Sequence, residues 1–236
     1  METVLITGVS SSIGESIAVK LSSKYKIILS GRNFEYLKEV NNKLHGRDHK
    51  LWVCDLLFDS ISDSLETFLI DNNLKVNHFL HLGGNFSTSP LRLVKKNDIT
   101  NSFQINVFSA IEIISLLSKK LYRNEMKNLI FFSSISTKKG FPGYAIYSSA
   151  KSALMGLTKT LSIELSPTKV NCIILGSVLS KKTHELIANN EEKINAQIPL
   201  GIAQSDVLDN WVEFLLQSNS WMTGQEIIID GGATVL

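Results

Sequence analysis

Seven short runs in this chain are apolar at consecutive positions, and this pattern restricts its fold more than any other feature. They are TVLIT (3–7), KIILS (26–30), KLWVC (50–54), NHFLHL (77–82), NLIFFS (128–133), KVNCIIL (169–175) and EIIID (226–230). A strand with one face in water alternates apolar and polar residues, whereas a strand covered on both faces does not. Segments of helical length lie between the runs. SIGESIAVKLSSK follows the first, and NFEYLKEVNNKL follows the second with Phe34, Leu37, Val40 and Leu44 on one face. This repetition predicts an α/β fold: a Rossmann-type, doubly wound parallel sheet of seven strands with helices on both faces. Right-handed crossovers narrow the topology further. No tandem repeat, linker or low-complexity tract interrupts the 236 residues, so one domain over 1–236 is expected.

The remaining composition mostly excludes. Hydrophobic residues at 44% and charged residues at 19% support a packed core. A net charge of +2 and isolated pairs such as Lys119-Lys120, Lys138-Lys139 and Lys181-Lys182 give no basic face for nucleic acid. Cys54 and Cys172 follow apolar residues in strand patterns and read as reduced core residues. The five histidines lack metal-ligand spacing, so no metal is expected. No apolar run reaches membrane-spanning length, and TVLITG opens a strand almost at once, so no leader is expected. No membrane association and a cytoplasmic location are expected.

The first strand runs into TGVSSSIG, residues 7–14. Small residues between a strand and a helix suit a phosphate, because helix N-terminal amides and the macrodipole favour an anion. Gly8 can make the tight turn, and Gly14 can let the helix pack close. The spacing G-x-G-x-x-G is absent, so small residues that merely cap the first helix fit as well. Arg32 follows the second strand in SGRN, and Gly31 occupies the place where an acid would receive a ribose 2′-hydroxyl. A guanidinium attracts a 2′-phosphate, so NADP(H) is preferred to NAD(H). Arg32 as surface decoration is the plainer alternative. Asp55, after the third strand, suits either an adenine amino group or a helix N-cap.

GYAIYSSAK (143–151) carries the chemistry. Tyr147 and Lys151 are four apart and share a helix face, and Ser134 lies just past the fifth strand. A tyrosine with an ordinary pKa near ~10 is a poor neutral-pH catalyst, and an unpaired ammonium lowers that value. A serine hydroxyl can polarise a carbonyl oxygen. The three suit proton transfer to an oxygen whose carbon receives hydride. A core tyrosine beside a solvated lysine is the bland alternative, and Asn106 alone could simply cross-link backbones.

TGVSSSIG, FLHLGG, QINVFS, IFFSSIS, YSSAK, VNCIILGS and WMTGQEIIIDGG occur in the order and at the separations of the short-chain dehydrogenase/reductases, and the chain resembles that family throughout. The resemblance implies that Ser134 orients the carbonyl and Tyr147 is the general acid in reduction. Lys151 would lower the tyrosine pKa and hold the nicotinamide ribose. Asn106 would maintain a water path to the lysine and a bend in its helix. The implied cofactor-binding positions are Gly8, Ser10, Ser11, Ser12, Ile13, Gly14, Arg32, Asp55, Leu56, Gly83, Gly84, Tyr147, Lys151, Gly176 and Val178.

The closest general resemblance is to 3-oxoacyl-[acyl-carrier-protein] reductases, which implies a small-molecule or carrier-linked ketone as substrate. The alternatives are a reductase or epimerase of a keto-sugar or secondary-metabolite ketone, and a catalytically weak dinucleotide sensor. Ser12 replaces the family's middle glycine, where its β-carbon could crowd the nucleotide or its hydroxyl could add a hydrogen bond. His81 replaces a bracing asparagine and is read as structural. Leu175 replaces a proline, and Ser180 stands near the position of a threonine that contacts the nicotinamide amide. Residues 177–198 align with the substrate loop. A homotetramer or dimer is implied, with helices at 100–121 and 145–165 pairing. Ile111, Ile114, Leu117, Leu154, Leu157 and Leu161 could line that interface or the monomer core.

Overall fold

The computed structural model describes residues 1–57, 59–179 and 194–235. The chain runs β1 (Thr3–Thr7), α1 (Ser12–Ser22), β2 (Lys26–Gly31), α2 (Phe34–Asn41), β3 (Lys50–Val53), α3 (Ile61–Asp71), β4 (His78–His81), α4 (Lys96–Phe103), α5 (Ser109–Leu117), β5 (Asn128–Ser134), α6 (Ala145–Glu164), β6 (Lys169–Leu175), α7 (Asp209–Leu216) and β7 (Glu226–Ile229). The seven strands form one sheet in the order β3-β2-β1-β4-β5-β6-β7. Every pairing is parallel. The order reverses between β1 and β4, so a crevice opens at their carboxyl ends.

Consecutive apolar residues serve opposite faces of the sheet. Leu5, Phe79, Leu129 and Phe131 pack with Leu65 of α3, Ile113 and Leu117 of α5 and Leu154 of α6. Val4, Ile6, Leu80 and Ile130 pack with Ile17 and Leu21 of α1, Leu37 and Val40 of α2, and Val212 and Leu215 of α7. Cys54 and Cys172 are free and buried. Burial pushes each thiol up to about 12, so both stay protonated and inert. Among the described residues no helix is long and apolar enough to cross a membrane.

Three expectations need correction or resolution. Phe34, expected on the buried face of α2, is 46% exposed because it starts the helix beyond the sheet's cover. Its ring carries the Lys38 ammonium 4.6 Å from the centroid instead. The single helix expected over 100–121 is α4 and α5 joined by a π-helical turn, Gln104–Phe108. Asn106 Nδ2 donates to the Ser102 carbonyl one turn back at 2.8 Å, a back-bond that bends helices. Of the six apolar residues left between core and interface, Ile114, Leu117 and Leu154 are core, with Leu157 and Leu161 packed against it. Ile111 is exposed.

The end of β6 meets the turn after β7 closely. A Cβ on Gly176 would lie 2.6 Å from the Asp230 Cα, which is backbone and cannot rotate away. Gly176→Ala is therefore expected to lower stability by about 2 kcal/mol, measured as a drop in the urea midpoint. An unchanged midpoint would show that the turn yields freely.

Candidate active site

Two adjoining cavities open at the carboxyl ends of β1, β4, β5 and β6. Gly8, Ser10, Arg32, Asp55, Leu56, Gly83 and Gly84 all line the first. The second, of about 400 Å³, brings Ser134 and Tyr147 together with Ile13, Gly176 and Val178.

The first cavity is shaped by backbone. Gly8 has φ +74°, and a Cβ there would lie 2.6 Å from the Leu82 carbonyl carbon. Gly14 is as crowded, 2.6 Å from the Gly8 oxygen. Ser11 locks this turn: its hydroxyl donates to the Gly8 carbonyl at 2.9 Å and accepts from the Gly14 N–H at 3.0 Å, capping α1. Ser12 is the first residue of α1 and lines an outer groove with Glu15 and Asp209. Arg32 is exposed on the rim. Asp55 is not a helix N-cap, a position that Ser60 takes for α3. Its carboxylate accepts from the Leu57 N–H at 3.0 Å and closes a turn.

Behind this cleft runs a buried hydrogen-bond chain. His81 is fully buried at the end of β4. Its Nε2 lies 3.2 Å from the Asn106 carbonyl, which can only accept, so Nε2 carries the proton. Nδ1 is then the acceptor for the Thr7 hydroxyl, 3.0 Å away. Thr7 Oγ1 in turn accepts from the Gly83 N–H at 3.1 Å. The ends of β1 and β4, the Gly83 turn and the π-helical turn are tied by three consistently oriented bonds. Burial, and then the Lys151 charge, push the His81 pKa down to about 3, against the hydrogen bond to Asn106. His81 is neutral and braces the strands.

The chemical end lies in front of this chain. Ser134 ends β5, and its hydroxyl oxygen accepts from the Ser136 N–H at 3.2 Å. Its own proton is donated to the Tyr147 hydroxyl oxygen. Tyr147 lies in the first turn of α6. Lys151, one turn on, is 6% exposed, and its Nζ donates to the Phe132 carbonyl at 3.0 Å. That Nζ stands 6.0 Å from the centroid of the Tyr147 ring. A Cβ on Gly84 would lie 2.7 Å from Asn106 Oδ1 and 3.1 Å from Lys151 Nζ, so Asn106 and Lys151 face the same turn. Asn106 Oδ1 is buried with no hydrogen-bond partner among the described residues.

One electrostatic expectation is reversed here. The sequence suggests a phenol lowered by the lysine. Burial instead raises the Tyr147 pKa, with the hydrogen bond from Ser134 working the other way. Two residues outside the sequence-derived set explain the surroundings. Phe86 meets the Tyr147 ring edge-on, with centroids 5.1 Å apart and planes at 89°, and helps to desolvate it. Asn85 Oδ1 accepts from Asn106 Nδ2 at 2.9 Å. The only signal for either was adjacency to Gly83 and Gly84. Ser180, Lys181, Lys182 and most of the expected substrate loop lie outside the described residues. Its described ends contribute Val178 and Ile198 to the second cavity.

Comparison with known proteins bears on the family and the fold. The family model for short chain dehydrogenases matches residues 2–191. The chain is 33% identical to the 3-oxoacyl-[acyl-carrier-protein] reductase FabG of Rickettsia prowazekii, over 98% of this chain and 96% of that one. A short-chain dehydrogenase/reductase structure from Brucella melitensis superposes with a TM-score of 0.90 at 20% identity, covering 98% and 96%. ElxO with NADP bound superposes with a TM-score of 0.88 at 21% identity, covering 100% and 99%.

The buried histidine has a consequence for stability. An unfolded His81 titrates near 6.5 and the folded one near 3, so between those values the unfolded chain binds the extra proton. Stability therefore falls as pH drops below 6.5, by about 1.4 kcal/mol per pH unit. His78, also lowered by burial, acts in the same direction. His81→Asn is expected to fold and to lose stability less steeply between pH 6.5 and 5 than the parent, in melting curves. Equal slopes would show that His81 is not held neutral.

Proposed function

We propose that this chain, which belongs to the short-chain dehydrogenase family, is an NADP(H)-dependent reductase that converts a ketone to a secondary alcohol. The name of its Rickettsia relative favours 3-oxoacyl groups on a carrier as substrate. The observation that carries the reading is the meeting of Ser134, Tyr147, Lys151 and Asn106 beside a glycine-walled cleft.

The cleft suits a dinucleotide. Gly8 and Gly14 leave room that a Cβ would fill, and the amides at the start of α1 lie at that turn. Arg32 stands at the rim with Gly31 in place of an acid, which favours a 2′-phosphate, and the ElxO structure holds NADP. When bound, nicotinamide supplies the hydride that the carbonyl carbon accepts. Ser134 donates its hydroxyl proton in a hydrogen bond to the carbonyl oxygen and holds it in place. Tyr147 gives its own proton to that oxygen as the C–H bond forms. A phenol raised by burial stays protonated at neutral pH, the state a donor needs in the reductive direction. The Lys151 ammonium then faces the phenolate left behind. Asn106 Oδ1 offers an acceptor on the lysine side, through which water can resupply the proton.

The same reading includes self-association, with the protein in the cytoplasm. Trp221 is 96% exposed, and Trp211, Phe214 and Ile228 are exposed on neighbouring elements. Phe108, Ile111 and Ile163 form the exposed apolar surface of the π-helical turn, α5 and α6.

Tyr147→Phe is expected to abolish ketone-dependent oxidation of NADPH at 340 nm while NADPH still binds by calorimetry. Retained turnover would remove Tyr147 as the donor. Arg32→Asp is expected to raise the dissociation constant for NADPH roughly tenfold or more, with little change for NADH. Equal changes for both would show that Arg32 does not read the 2′-phosphate.

A further inference from the structure

Asn106 is fully buried, yet its Oδ1 has no hydrogen-bond partner among the described residues. A bare buried acceptor is costly, so its direction has to be imposed by the bonds that the rest of the amide makes. Nδ2 makes two. It donates to the Ser102 carbonyl at 2.8 Å and to Asn85 Oδ1 at 2.9 Å. Both of its protons are then used.

The two bonds have different effects. Ser102 lies one turn back, near the end of α4, and its carbonyl decides which end of the amide is the nitrogen. One hydrogen bond still lets a planar amide swivel about it. The second, to Asn85, fixes the plane and with it the direction of Oδ1. Oδ1 then borders the space over Gly84, where a Cβ would lie 2.7 Å from it and 3.1 Å from Lys151 Nζ. The backbone of Asn106 is held separately, since His81 Nε2 donates to its carbonyl at 3.2 Å.

Asn85 is a firm anchor because its loop is pinned on both sides of it. The Gly83 N–H donates to Thr7 Oγ1 at 3.1 Å, and the Ser89 N–H donates to the Gly143 carbonyl at 2.9 Å, just before α6. Between these ties, Phe86 stands edge-on to the Tyr147 ring. Consecutive side chains of one loop therefore meet Asn106 and Tyr147. Asn85 also lines the first cavity, so a contact with the cofactor is the rival role that a test has to separate.

We infer that Asn85 is a positioning residue: its side-chain oxygen fixes the plane of the Asn106 amide, which keeps Oδ1 over Gly84 on the Lys151 side, where the proton is resupplied. This rests on the ketone-reductase reading of the same site. The test compares the parent with Asn85→Leu, which removes the acceptor at similar volume, and Asn85→Asp, which keeps an acceptor oxygen. With ethyl 3-oxobutanoate and saturating NADPH, Asn85→Leu should lower kcat about tenfold and change KM for the ketone by less than about twofold. It should also raise the solvent deuterium isotope effect on kcat, because proton resupply becomes more limiting. Asn85→Asp should recover most of kcat. In the protein without cofactor, NMR should show the Asn106 Nδ2 protons exchanging with deuterium oxide about tenfold faster in Asn85→Leu than in the other two. An unchanged kcat, an unchanged isotope effect, no recovery in Asn85→Asp, or equal exchange in all three proteins would overturn the inference and leave the reductase reading intact. A loss in Asn85→Leu confined to the NADPH dissociation constant would overturn it too, by making Asn85 a cofactor contact. A parent that does not turn over the oxoester would instead overturn the reductase reading and this inference with it.

Discussion

The cleft is organised around an imidazole that burial keeps neutral well below the ordinary histidine range. β1 and β4 are neighbours in the sheet but distant in sequence, and their carboxyl ends part to form the crevice. Backbone groups at such a parting lose their sheet partners and must find others. The Gly83 N–H finds Thr7 Oγ1, and His81 extends the chain by accepting from the Thr7 hydroxyl and donating to the Asn106 carbonyl. Away from water these bonds are strong when all are made and expensive when one fails. The Gly83 turn, the π-helical turn and both strand ends therefore hold their positions together.

Lys151 sits at the junction of that frame with the chemistry. It is a nearly buried cation anchored on the Phe132 carbonyl. Its charge opposes protonation of His81 behind it. The same charge faces the ring of Tyr147 in front. Burial, aided by this ammonium, keeps the brace neutral, and the same ammonium waits beside a phenol that burial keeps protonated. The raised phenol is coherent with reduction, because the group begins each turnover as an acid and meets the cation only after giving up its proton.

The fold was legible in the sequence because strands covered on both faces advertise themselves as consecutive apolar residues. The glycine positions and the Tyr147–Lys151 pair were legible for a local reason: turn geometry and one helical turn are short-range. Ser134 followed from its place at a strand end. What escaped depends on contacts between segments far apart in the chain. Phe86 became visible only when its loop was laid over α6, and with it the reason that the Tyr147 pKa moves upward. Asn85 has no compositional mark, whereas the family resemblance had implied a bend at Asn106, where the π-helical turn lies. Phe34 satisfied the helical period but lay past the edge of the surface that period would bury.

The central claim is that a neutral, Nε2-protonated His81 holds the cleft together. Nitrogen chemical shifts of the imidazole, read from long-range proton–nitrogen correlation spectra between pH 8 and 5, test it most directly. The account expects one set of His81 signals with a protonated Nε2 and a bare Nδ1, unchanged across that range. A His81 that titrates near 6.5, or one protonated on Nδ1, would contradict it.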